Sequence, residues 1–193
     1  MYPKEFNDLV DMFESISGIG HKAAERYAFD FLNKGDHGKA INIINQLSHL
    51  GICPVCGAMT SYGKCSICSD QTRDKNIILV VEDNKCLNTL ENSGLFKGQY
   101  HVLNGLLSPT KGVYQDDINI EGLLKRLNGV NEVIIALSPS VDGELTSAYL
   151  VKLLKEKNIR VSKLATGIPM GASIEYADDL TLAKALMNRN IES

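Results

Sequence analysis

The stretch Asn76-Ile77-Ile78-Leu79-Val80-Val81-Glu82-Asp83 decides the fold. Five apolar residues in a row, four of them β-branched, run into two acids. A strand with one wet face alternates apolar and polar residues. An unbroken apolar run instead fits a strand covered on both faces, as in a parallel sheet flanked by helices. Working outward, Tyr100 to Leu103, Val133 to Leu137 and Ile159 to Leu164 read as further strands. Helices are expected near Lys85 to Asn92, Ile118 to Leu127 and Thr146 to Lys157, with a last one around Ala177 to Met187. Strands alternating with helices predict an α/β fold with a mostly parallel sheet.

The sequence before this region is different in kind. Phe6, Leu9, Val10 and Phe13 recur at helical spacing. Ser17-Gly18-Ile19-Gly20 interrupts. Ala23, Ala24, Tyr27, Ala28 and Phe31 then form a second inward stripe. Asn33 to Gly38 reads as a break, and Ala40 to Leu50 as helix again.

Between the two regions lies Cys53-Pro54-Val55-Cys56-Gly57, then Lys64-Cys65-Ser66-Ile67-Cys68. The pattern is C-x2-C-x8-C-x2-C. Each pair makes a tight knuckle, and two knuckles offer four sulfurs, which suits one tetrahedral structural Zn2+. The alternatives are an iron–sulfur cluster and a metal-free loop, reduced or disulfide-bonded. Four protein sulfurs leave no open position for hydrolytic chemistry. The fifth cysteine, Cys86, has no ligand neighbours and reads as a small buried apolar residue.

Two other segments carry candidate chemistry. Around Gly18-Ile19-Gly20, a tight turn would join two helices in a helix-hairpin-helix. A free helix start at Gly20 attracts phosphate, and Lys22 and Arg26 lie four apart on one face beside it. They can hold a DNA backbone without reading bases; the plain alternative is a helical hairpin with two solvated cations. At the strand ends, Glu82-Asp83 and Ser138-Pro139-Ser140-Val141-Asp142-Gly143-Glu144 would lie where open parallel sheets gather ligands. Glu82, Asp83, Asp142 and Glu144 read as a weak Mg2+ site, a protein-docking patch, or ordinary solvated acids.

The acidic segments resemble the Toprim domain of type IA topoisomerases and primases. In those topoisomerases the second motif reads Asp-Pro-Asp-Arg-Glu-Gly-Glu. Here Pro139, Gly143 and Glu144 match, Asp142 stands for Glu, and Ser138 and Ser140 replace two aspartates. Hydroxyls cannot neutralise a divalent cation as carboxylates do, so Toprim phosphoryl transfer is not expected.

The net charge is −3, from 20 basic and 23 acidic residues. Affinity from phosphate contacts scales with the cations engaged, so a lone subunit should bind DNA weakly and several must act together. No apolar run approaches a membrane span. The start, MYPKEFNDLVDMF, lacks the pattern of a secretion signal, and a cytoplasmic location is expected.

The order of modules resembles the RecR family of bacterial recombination mediators over nearly the whole chain. Further stretches carry the resemblance: Tyr100-His101-Val102-Leu103 with Ser108-Pro109, then Leu164-Ala165-Thr166-Gly167-Ile168-Pro169-Met170-Gly171, running on into Glu175-Tyr176-Ala177-Asp178 and Thr181-Leu182. Departures occur at Asp142, at Gly112-Val113-Tyr114-Gln115 and at Ser93-Gly94. The resemblance implies a non-catalytic clamp on DNA, whether single-stranded, double-stranded or a junction. It implies a tetrameric ring or dimer that works with RecO and RecF to help load RecA onto single-stranded DNA. It implies DNA contact at Gly18, Gly20, Lys22 and Arg26, a RecO-facing surface at Asp142 and Glu144, and subunit contacts by the Gly-Ile-Pro segment. The expected division is a helical hairpin domain at 1–52 for DNA binding and oligomerisation, a C4 zinc finger at 53–75, a Toprim domain at 76–165 and a C-terminal oligomerisation segment at 166–193. The competing functions are a Mg2+-dependent Toprim nuclease, topoisomerase or primase, and a nucleotide-dependent enzyme. The latter lacks any phosphate-binding glycine loop.

Overall fold

The structure is a computed structural model that describes residues 2–189. The chain divides into two compact units, Met1–Leu50 and Gly51–Ser193.

In the first unit, helices α1 (Lys4–Glu14) and α2 (His21–Lys34) pack through Phe6, Val10, Ala24 and Ala28. Two alanines one turn apart let the helix backbones approach, and Leu9, Phe13 and Ile19 close the sides. Tyr27 is not part of this core: it is 40% exposed. It sits one position from the Ala24–Ala28 line, so its ring lies over the flank and meets Phe13 edge-on at 6.1 Å. Gly18, at φ 87°, makes the turn between the helices. Helix α3 (His37–Leu47) starts earlier than its apolar pattern suggests, because Asp36 caps it by accepting from the Lys39 amide at 2.9 Å.

The second unit opens with a short antiparallel ribbon, β1 (Gly51–Ile52) and β2 (Met59–Thr60), and a single-turn helix α4 (Ser66–Ser69). There follow β3 (Asp74–Val81), α5 (Asn84–Asn92), β4 (Gly98–Val102), α6 (Ile120–Leu124), β5 (Glu132–Ala136), α7 (Val141–Glu156), β6 (Arg160–Lys163) and α8 (Asp179–Met187). The four longer strands form one parallel sheet in the order β4-β3-β5-β6.

The apolar run Ile77 to Val81 lies in β3, a central strand. Its residues divide between two cores. Ile78 and Val80 join Val133, Ile135, Leu103, Leu123, Leu150 and Leu154 on one face. Leu79 and Val81 join Tyr100, Val102, Leu87 and the four clustered cysteines on the other. Helix α7 begins five residues before the expected Thr146. The Ser140 hydroxyl accepts from the Gly143 amide at 3.1 Å and starts the helix inside the acidic segment. Helix α6 is shorter than expected, although Ile118 and Leu127 at its expected ends are both buried.

From β3 the chain moves to β4 on one side, then returns to β5 on the other. The carboxyl ends of β3 and β5 therefore flank a topological switch point, where such sheets place their sites. Glu82 follows β3 there, and Ser138 to Glu144 follow β5.

Candidate functional site

Two knuckles build the cysteine centre. The first closes through Gly57 N–H to the Cys53 carbonyl at 2.9 Å and Cys53 N–H to the Ala58 carbonyl at 2.7 Å. Gly57 has φ 78°, and a Cβ there would come within 2.5 Å of both the Val102 carbonyl and the Asn119 amide. Only glycine fits that corner. The second knuckle caps itself: the Cys65 sulfur accepts from the Cys68 amide at 3.4 Å. Cys53, Cys56, Cys65 and Cys68 are all buried and form no disulfide, and their sulfurs lie within 4.8 Å of one another. A tetrahedral ion with bonds of about 2.3 Å spaces its sulfurs by about 3.8 Å, so the geometry fits one such ion.

Electrostatics point the same way. Burial opposes ionisation of Cys53, but the amides of Cys65, Cys56 and Val55 aimed at its sulfur draw the thiol down to about 6. A hydrogen bond that the Cys56 thiol donates to the Cys68 sulfur, together with burial, pushes Cys56 up. Burial likewise raises Cys65 to about 11. Four thiolates in one dry pocket repel each other unless a cation stands among them. The set can therefore hold a metal ion such as zinc. Cys86 lies apart from the centre, half-buried, with its thiol raised first by burial.

The four acids sit around the switch point but are individually engaged. Glu82 accepts from the Ser138 amide at 3.1 Å. Asp83 caps α5 by accepting from the Cys86 amide at 2.7 Å. Asp142 pairs with Lys111 at 3.1 Å, and hydrogen bonds from Lys111 and Ser108 hold its carboxyl below the usual range. Glu144 pairs with Lys184 at 2.9 Å and Lys163 at 3.3 Å, which depress its carboxyl in that order. Among the described residues, the cysteine set is the one group of three or more metal-ligating side chains whose donor atoms converge.

In the helical unit, Gly18 makes the turn and Gly20 precedes α2 in extended conformation, with no side chain capping the helix start. Lys22 and Arg26 are exposed one turn apart on α2. The Arg26 guanidinium lies 5.2 Å from the centre of the Tyr27 ring. Beside the same helix start, His21 Nδ1 bonds Glu14 at 2.8 Å, which raises the imidazole pKa.

Sequence reasoning did not find Lys111, Lys163 or Lys184, nor the asparagines that line the cysteine centre. Lys111 and Lys184 are 31 and 40 residues from their acids, so no local spacing announces them. The one available signal was charge complementarity with an acidic segment.

A parallel sheet with acids at its switch point, preceded by a four-cysteine finger, has the layout of a Toprim-containing protein. The Toprim domain family pattern matches residues 76–165, and the pattern described as RecR, C-terminal matches 167–190. Over 194 aligned residues the chain is 44% identical to the recombination protein RecR of Streptococcus pneumoniae (strain Hungary19A-6), with 98% of each chain covered. It is 43% identical to that of Streptococcus sanguinis (strain SK36) and 44% to that of Streptococcus thermophilus, with the same coverage. The chain belongs to the RecR family of recombination proteins. Among the described residues, no helix is long and apolar enough to cross a membrane.

Proposed function

We propose that the chain is a non-catalytic DNA clamp and recombination mediator in DNA repair, which acts with RecO and RecF to help load RecA onto single-stranded DNA. One observation carries the non-catalytic part. Glu82, Asp83, Asp142 and Glu144 each have a partner within the chain, and two of the four acids pair with lysine ammonium groups. With serines at 138 and 140, the remaining carboxylates do not converge as a catalytic Mg2+ needs.

The division of labour follows the sequence boundaries. Residues 1–52 bind DNA through Gly18, Gly20, Lys22 and Arg26 and help subunits join. Residues 53–75 hold one structural Zn2+ through Cys53, Cys56, Cys65 and Cys68. The Toprim domain, 76–165, presents Asp142 and Glu144 to RecO. Segment 166–193 joins subunits into a ring-like tetramer or a dimer; its last four residues lie outside the described ones. Exposed apolar side chains at Met170, Ile174, Tyr176, Leu180 and Met187 support that last role.

The test combines sedimentation with DNA and a Mg2+ assay. Self-association, DNA binding and no turnover in nicking, relaxation or primer synthesis are expected. A strict monomer at high concentration sinks the clamp. Sustained phosphodiester cleavage that is lost in Glu82→Gln establishes the enzymatic alternative instead.

A further inference from the structure

The cysteine finger has little of its own to stand on. Its ribbon strands are two residues each, and Ile52 and Met59 on them are 65% and 57% exposed. A metal supplies the cohesion that a core would give a larger module. Arg73 ties the end of the finger to the Gly98 carbonyl and Glu91, but the polar attachments of the knuckle itself run to one place, the carboxyl end of the sheet. The Val102 amide donates to the Cys56 carbonyl at 2.7 Å. Asn104 Nδ2 donates to the Gly57 carbonyl at 2.9 Å. The Met59 amide donates to Asn84 Oδ1 at 2.6 Å. Asn84 and Asn104 also meet each other, Nδ2 to Oδ1, at 3.5 Å.

These two asparagines flank the first acidic pair. Asn84 is the first residue of α5, directly after Glu82 and Asp83. Asn104 precedes Gly105, whose amide donates to the Glu82 carbonyl at 3.2 Å. Asn104 itself has φ 58°, a left-handed conformation that asparagine adopts more readily than other residues with a side chain. What holds it is the knuckle carbonyl of Gly57 and the side chain of Asn84. Apolar packing of the cysteines on Leu79, Tyr100 and Val102 can seat the finger, but it does not specify the turn at 104–105. Directional bonds from the asparagines do.

We propose that Asn84 and Asn104 are positioning residues that carry the geometry of the metal knuckle to the acidic strand edge, so that filling the cysteine centre orders residues 82–84 and 103–105. Loss of the metal loosens the knuckle, frees the Gly57 carbonyl and Met59 amide from their partners, and releases the turn that bonds Glu82. The inference rests on the metal centre alone and is independent of the DNA and partner assignments.

The experiment is hydrogen–deuterium exchange on the full chain, Zn2+-loaded and chelator-stripped, after the bound Zn2+ has been counted. Stripping is expected to speed exchange in residues 53–68 and also in 82–86 and 103–106, on the order of tenfold, the effect of losing one net hydrogen bond. In the Zn2+-loaded double variant Asn84→Ala/Asn104→Gly, the finger is expected to stay protected. The edge should then exchange about tenfold faster and no longer respond to stripping. Asn104→Gly alone tolerates the same φ, so it keeps the backbone available and serves as the second variant; protection in 133–136 and 147–154 reports that the sheet is intact. An edge that ignores stripping in the unmodified chain, or that stays fully protected in both loaded variants, overturns the coupling. A chain that binds no Zn2+ removes the metal centre itself, which is a separate failure.

Discussion

The Glu82 carboxylate accepts a hydrogen bond from the Ser138 amide at 3.1 Å, tying the end of β3 to the loop that follows β5. A carboxylate at the switch point of a Toprim sheet thus acts as a strut between neighbouring strand ends. Glu82→Gln keeps an acceptor and is expected to change stability by less than about 1 kcal/mol. Glu82→Ala leaves the amide without it and is expected to cost about 1–2 kcal/mol. Urea unfolding of the two variants checks the ordering. Equal losses in both would show that charge, not the hydrogen bond, is what matters there.

The cysteine centre makes a second prediction. The purified chain should carry one Zn2+ and lack the visible absorbance of an iron–sulfur cluster. With metal at about a thousand times its dissociation constant, linkage gives about 4 kcal/mol of added stability. A chelator should therefore lower the melting temperature by several degrees, and Zn2+ should restore it. Cys56→Ser should lose both the metal and the response to chelator. A chelator that strips the metal without moving the melting temperature would show that the finger needs no ion to hold it.

These two sites differ in how legible they were. The cysteine centre is readable because both knuckles are local: the two cysteines of each pair are three residues apart, and the spacing alone brings their sulfurs together. The central strand was readable for a similar reason, since burial on both faces leaves its mark on consecutive residues. The state of the acids was not. Glu144 is neutralised by Lys163 and Lys184, which arrive from β6 and α8, and Asp142 by Lys111 from the loop after β4. Nothing within a helical or strand period of either acid encodes those meetings. The start of helix α7 is hidden in the sequence because Ser140 stands where the Toprim motif has a metal-binding aspartate, whereas its hydroxyl is the cap that starts the helix.

His101 is buried between two such long-range partners. Its Nε2 donates to the Asn119 carbonyl at 2.6 Å, and its Nδ1 accepts from Arg126 at 3.2 Å. Burial, with the Arg126 charge adding to it, lowers its pKa to about 4. The ring is neutral in the folded chain, whereas the unfolded chain takes up a proton near 6.5. Stability from this site is therefore complete above pH 6.5 and falls as the pH drops towards 4, by about 3 kcal/mol in all. His101→Gln has no such proton to take up. Its urea midpoint is expected to fall less steeply than the unmodified chain's between pH 6.5 and 4.5. Parallel curves would place the acid sensitivity elsewhere.

The DNA assignment is open to a test in which two substitutions act in opposite directions. Lys22 and Arg26 are exposed one turn apart beside an uncapped helix start, and Glu14 lies against the same start through His21. If phosphates dock there, replacing both cations with Ala removes two counterion-releasing contacts per subunit. The log–log slope of single-strand affinity against salt should then flatten by about 1.4 per engaged subunit. Glu14→Gln removes a nearby repulsive charge and should instead tighten binding a few-fold at low salt, an effect that fades as the Debye length shrinks. A structural disturbance of the hairpin would weaken binding in both variants. Only a phosphate site at the helix start gives loss from one and gain from the other, and an affinity unchanged in the double alanine variant would place the DNA on another surface.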